Sequence, residues 1–251
     1  MQTFGNSNPG ITPGSPGDGD VVPMRLERWL PPLLSVIAGM ADLTGFFTLG
    51  NVFTAHLTGN LVLATAALVR HAPIELAQVL AIPVFMVAVV GVWLITRASG
   101  RRSVGLLRLL LVMQFILLAA VMAVSVLTRA STDPEGLMAG LAAMIAVAAM
   151  ACQYTLFRLA MPSMVVSTAV MTGNLTNTVL LSLNLLSMGR SSMTNESARL
   201  ARSAWPLLGF LFGCAIAGAA VSRLADWAWI FPVALAGLAV LLPRYAPDEA
   251  R

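Results

Sequence analysis

The sequence predicts an all-α polytopic membrane protein. Its six net crossings are drawn from up to eight apolar segments, arranged in two homologous, inverted halves. Three observations predict this. First, 58% of the 251 residues are hydrophobic, 10% are charged, and the mean hydropathy is +0.84. Apolar runs of about 20 residues, the length of a bilayer span, recur from Leu30 to Pro243. The shorter alternating segments of a membrane β-barrel are not visible. Second, Thr-Gly-Asn-Leu occurs twice inside apolar stretches, at Thr58-Gly59-Asn60-Leu61 and Thr172-Gly173-Asn174-Leu175. A helix-breaking Gly between hydrogen-bonding neighbours is costly in hydrocarbon. Two such strings at similar places point to a duplication with helices broken at the motifs, the way many carriers build a midplane site. Third, the arginines are distributed asymmetrically along the chain.

Residues 1–24 are rich in Gly, Pro, Ser and Asn and cannot bury a core, so they read as a disordered tail. They lack the layout of a signal peptide. The apolar segments run over 30–50, 51–70, 74–96, 104–128, 136–157, 163–188, 203–223 and 227–243. The first four fall in a first membrane repeat, 25–130. The last four fall in a second, 131–245, followed by a C-terminal tail, 246–251. Gly209 and Gly213 in the seventh segment, with Ala217 and Gly218 beyond, have the spacing that lets helix backbones approach closely. Plain abundance of small residues in membrane helices explains them equally well.

The formal charge is +4, and all fifteen basic residues are Arg. If every segment crossed, Arg25 and Arg28 would lie on the opposite side from Arg97, Arg101 and Arg102, against the positive-inside tendency. If segments one and two make one net crossing, and five and six another, the outside keeps Arg70, Arg129 and Arg223 alone. Three crossings per half is an odd number, so the two halves face opposite ways. A variant in which one segment per half lies at the interface remains open.

Asp42 is the one acid well inside an apolar segment. Such an acid is a candidate for binding a proton, a cation or a polar solute. It could equally cap a broken helix, or pair with His56 or Arg158. His56 titrates near neutral pH and can share a proton with Asp42; a neutral His bonded to a freed carbonyl is the plainer alternative. Gln153 holds the place of Asp42 in the second half, 16 to 19 residues before the motif in both copies. Thr58, Asn60, Thr172 and Asn174 offer polar side chains, and Gly59 and Gly173 let the backbone bend. These groups could hold a small ion or solute, or satisfy each other across the repeat interface. Gln114, Asn177 and Asn184 read as glue between helices, and Arg158 as a residue snorkelling to an interface.

Cys152 and Cys214 read as small buried hydrophobes. No metal or cofactor motif, phosphate loop or catalytic arrangement is present, so an enzyme is not expected. Nucleic-acid binding is not expected either, because no basic cluster is interleaved with aromatics.

The run Gly39-Met40-Ala41-Asp42, followed by Leu49–Asn60, resembles the first signature of the YoaK family of bacterial inner-membrane proteins of unknown function. Ala151-Cys152-Gln153-Tyr154 with Thr172-Gly173-Asn174 resembles the second signature, with Cys152 and Tyr154 departing from the usual pattern. The resemblance covers residues 30–243. It implies a multi-pass protein of the bacterial inner membrane and names no substrate. Both termini are expected in the cytoplasm. The expected partners are the lipid bilayer and a small polar solute, proton or cation, with self-association left open.

Overall fold

The computed structural model describes residues 24–100, 103–160, 171–187 and 193–242. The tail expected to be disordered, 1–24, lies outside these residues except for Met24, and so does the C-terminal tail, 246–251. So does the segment between residues 160 and 171.

Every regular element among the described residues is helical. The eight α-helices are α1 (Met24–Thr48), α2 (Leu57–Val69), α3 (Leu76–Ser99), α4 (Ser103–Thr128), α5 (Leu137–Leu159), α6 (Met171–Ser187), α7 (Met193–Leu224) and α8 (Ile230–Leu241). Short 3-10 turns follow α4 and α7. Five stretches are long and apolar enough to cross a membrane, while α2 is a shorter apolar helix. The chain thus has the build of a multi-pass membrane protein.

The helices follow the apolar segments, with two differences. Segment two gives up residues 51–56 to irregular backbone, so α2 starts at Leu57. Helix α7 starts at Met193, ten residues ahead of its apolar segment. Near its start it carries an ion pair, Glu196 to Arg199 at 2.9 Å, at the i, i+3 spacing that supports a helix.

Helices α1 and α5 form the interior. Of the most apolar window in α1, 67% is buried, against 17% in α3. Helix α5 buries Ala139, Ala142, Ala143, Ala146, Ala149 and Ala151, small residues that bring neighbouring backbones close. Helix α1 packs on α7 and α8, and α5 packs on α3 and α4. Helix α2 lies on α3, and α6 lies on α7. Exchanging α1–α4 for α5–α8 turns each of these packings into another of the same set. The first helix of each half therefore rests on the third and fourth helices of the other half, and the halves interlock.

The α1–α7 crossing uses the glycine spacing read from the sequence. A Cβ added at Gly213 would run into the backbone of Val36, one at Gly209 into Pro32 and one at Gly39 into Phe210. Backbone touches backbone along this seam, so the close-approach reading of Gly209 and Gly213 holds.

One end of the molecule gathers residues that lie far apart in sequence. Gln78 at the start of α3 donates to the carbonyl of Asn51, just past α1. Gly50 lies against the carbonyl of Pro134. Asp226, just past α7, accepts from the hydroxyls of Ser125 and Ser131 and from the Ser131 amide. Trp229 donates to the hydroxyl of Thr48 at 3.2 Å.

Candidate functional site

Helix α1 ends in a tight reversal. Gly50 adopts φ 79° and Asn51 φ 54°, and the Asn51 amide bonds back to the Phe46 carbonyl at 3.1 Å. This is the left-handed helix stop that favours glycine. The chain then runs back along α1 without regular structure, passing over Gly45. It reaches the level of Asp42 before α2 begins.

Irregular backbone inside a membrane protein must have its polar groups satisfied by the protein. Here side chains do so peptide by peptide. The Asn60 amide pairs with both sides of Phe53, accepting from its N–H at 2.8 Å and donating to its carbonyl at 2.7 Å. Asp42 Oδ1 accepts from the Ala55 amide at 2.5 Å and from the Thr54 hydroxyl at 3.3 Å. The Tyr154 hydroxyl donates to the Ala55 carbonyl at 2.8 Å. The Gly59 amide donates to the His56 carbonyl at 2.9 Å.

The second Asp42 oxygen meets His56 Nδ1 at 2.5 Å. Asp42 is buried, whereas the His56 side chain is 32% exposed. The imidazole packs edge-on against Phe210 of α7, with ring centroids 4.8 Å apart. An aspartate, an imidazole and a tyrosine hydroxyl thus converge on one short stretch, Thr54–His56. On α1 itself, the hydroxyls of Ser35 and Thr44 are buried without a protein partner among the described residues. Outside the spans, Glu75 lies beside Glu135 near Gly50. Burial, then the charge of Glu135 and a hydrogen bond with it, raise the Glu75 carboxyl above its ordinary value.

The first motif does not interrupt a helix, as the sequence led one to expect; it opens one, in the first turn of α2. The second lies in α6, and the residues before Met171 are outside the described ones. The break lies upstream, at Leu49–His56 in the first half. Both copies share one burial pattern: Thr58 and Thr172 are exposed, and Asn60 and Asn174 are buried. Gly59 leaves room for the Phe53 ring, whose Cδ2 would lie 2.9 Å from an added Cβ. Helices α2 and α6 are not among the well-packed pairs of the described residues. Asn174 instead lines a cavity between α6 and α7.

Asp42 and Gln153 each sit less than two turns before the end of their helix. Their surroundings differ. Gln153 is buried, accepts from Gln114 Nε2 at 2.7 Å and donates to the Leu34 carbonyl at 3.0 Å. These bonds tie α5 to α4 and α1 and do not reach Asp42 or His56, so the structure does not bring Gln153 into that pair. They also make Gln114 the interhelical glue that was expected. Arg158 is exposed in the last turn of α5, so it is not the partner of Asp42. Tyr154 belongs to the site although its residue type alone did not mark it out. Its hydroxyl needs a partner when buried, and that is the one signal the sequence carries.

No curated protein and no solved structure matches the chain. A family model described as a protein of unknown function, DUF1275, matches residues 30–242. The match takes in both interlocked halves and every residue of the Asp42–His56 site, and the chain belongs to that family of unknown function.

Proposed function

We propose that the chain is a proton-coupled carrier of a small polar solute or cation, built as an inverted repeat with six crossings. The observation that carries this reading is the buried carboxylate–imidazole pair, Asp42–His56, on an irregular chain segment inside a multi-pass protein. Ionisable groups at such depth are expensive, and moving protons or ions is their commonest use. An ionised Asp42 takes the Nδ1 proton of His56; a protonated Asp42 donates to the same atom. The pair can hold one proton or two with little motion. Since Asp42 is buried and His56 is half-exposed, protons exchange through the imidazole. The unpartnered hydroxyls of Ser35 and Thr44 add polar surface on α1, in the same helix as the carboxylate. The reading involves no catalytic step.

The gathering of Asn51, Gln78, Pro134 and Asp226 at one end supports six crossings, because an eight-crossing chain would place Asn51 and Pro134 on opposite sides. In this reading α2 is the return arm of a re-entrant hairpin. The interchangeable packings of the two halves support the repeat, and three crossings per half make it inverted. The positive-inside tendency puts both termini in the cytoplasm. The resemblance to the YoaK family supports a place in the bacterial inner membrane.

A second reading is a non-transporting subunit or scaffold. It is favoured by the use of both Asp42 oxygens, and of the Asn60 amide, in holding the chain reversal together.

Asp42→Asn separates the two. Asn can keep its oxygen on Ala55 and Thr54 while its NH2 donates to a neutral His56, so the fold survives but the carboxyl titration is gone. The carrier reading expects a folded variant whose proton-driven flux in liposomes is abolished. A wild-type protein that gives no flux and no solute-dependent stabilisation across a broad solute panel sinks that reading and leaves the scaffold.

A further inference from the structure

The cavity between α6 and α7 encloses about 480 Å³. Its polar wall is Asn174, Asn177 and Asn184 from α6 with Arg199, Arg202 and Ser203 from α7. Leu180 and Leu181 complete it on the α6 side. Arg199 and Arg202 lie one turn apart on the same face of α7. Arg199 is paired with Glu196, which does not line the cavity. Arg202 has no acidic partner among the described residues; its Nε makes one long bond, 3.4 Å, to the Ala198 carbonyl. Ser203 lines the cavity at 7% exposure.

Positive-inside topology accounts for arginines at this end of α7, but not for the asparagines. Counting from the shared Thr-Gly-Asn-Leu, Asn177 stands where the first copy has Leu63, and Asn184 where it has Arg70. The equivalent α2 face carries Asn60, Leu63, Ala66, Ala67 and Arg70. The same helix is amide-rich in the second copy, where it faces two guanidinium groups. The Asn177 amide, the Ser203 hydroxyl and the Arg202 guanidinium are all donors, and together they match the acceptor oxygens of a phosphate. Trp205, 58% exposed just beyond Ser203, is the side chain of a membrane–water boundary. Basic pockets between helices at such a boundary suit phosphate-bearing headgroups.

We propose that the α6–α7 cavity is a phosphate-binding site, taking the phosphate of an anionic lipid headgroup or a free phosphate. It is separate from the Asp42–His56 site and does not depend on the transport reading.

The test is thermal unfolding of the full chain in nanodiscs. One arm compares phosphatidylcholine with mixtures containing phosphatidylglycerol. The other titrates inorganic phosphate into phosphatidylcholine discs. The proposal expects a rise in unfolding midpoint in at least one arm: the first alone identifies a lipid headgroup, the second a free phosphate. Arg202→Gln should weaken the apparent affinity about fivefold, the scale of one basic residue near a phosphate surface. Asn177→Leu, which installs the residue of the first copy at nearly the same volume, should weaken it as well. Arg97→Gln, on α3, should not. No shift in either arm overturns the proposal. So does an Arg97→Gln effect equal to that of Arg202→Gln, or an Asn177→Leu variant indistinguishable from wild type.

Discussion

Asn60 does for one peptide what a neighbouring strand does for many: its amide offers Phe53 both an acceptor and a donor. Replacing it with Leu leaves an N–H and a C=O buried and unpaired, at about 1–3 kcal/mol each. Asn60→Leu should therefore destabilise the protein by roughly 2–6 kcal/mol. Thr58→Val, two residues away on an exposed face, should stay within about 0.5 kcal/mol. Denaturant unfolding in detergent checks both. A Thr58 effect as large as that of Asn60 would show that the motif acts through something other than this bond pair. Asp42, His56 and Asn60 are visible in the sequence because a polar group in an apolar run needs a reason. Their partners are not visible, because each bond depends on the reversal at Gly50–Asn51. Tyr154 is hidden for the same cause: its acceptor is a carbonyl that exists as an acceptor only once the chain has doubled back.

Helices are the best-read level of this chain. Apolar run length locates every one of them, since the bilayer sets the length of a span. The misread element is segment two, where hydropathy continues through Asn51–His56 although the helix does not. Phe53 and Val52 are apolar because they pack inside the protein, and packing says nothing about backbone conformation. The second element-scale feature is the α1–α7 seam, where the glycine spacing alone is ambiguous and the neighbour's backbone decides. Gly213→Leu would drive a side chain into the Val36 backbone. The expected loss is about 3 kcal/mol or more, beyond ordinary overpacking because backbone cannot rotate away. Gly140→Ala, with nothing within 4 Å, should cost nothing measurable. Thermal melting of the two variants side by side tests the seam; equal melting points would mean α7 can slide off α1 at no cost.

For the whole molecule, the six-crossing reading makes a statement about sides. In a cysteine-free background, Ala72→Cys and Trp227→Cys should react with an impermeant maleimide from the same face. Ser99→Cys should react from the other. An eight-crossing chain would instead pair Trp227 with Ser99. The proposed repeat rests, in the sequence, on the doubled motif and the arginine pattern. What sequence does not reveal is that the halves interlock, because nothing local to α1 indicates that its main neighbour is α7.

That interlock also has a consequence in time. The bond from Cys214 to the carbonyl of Gly39 joins residues 175 positions apart. Helix α1 is made well before α7, the helix that covers it. At about 5–20 residues per second, α1 waits roughly 10–35 s for its partner. During that interval its glycine face has no native surface to meet, whereas Asp42 meets Thr54, Ala55 and His56 as soon as the first chain reversal is made. The newborn chain must keep that glycine face from other helices until α7 arrives. Assembly, rather than the finished fold, is where this protein is most exposed to failure.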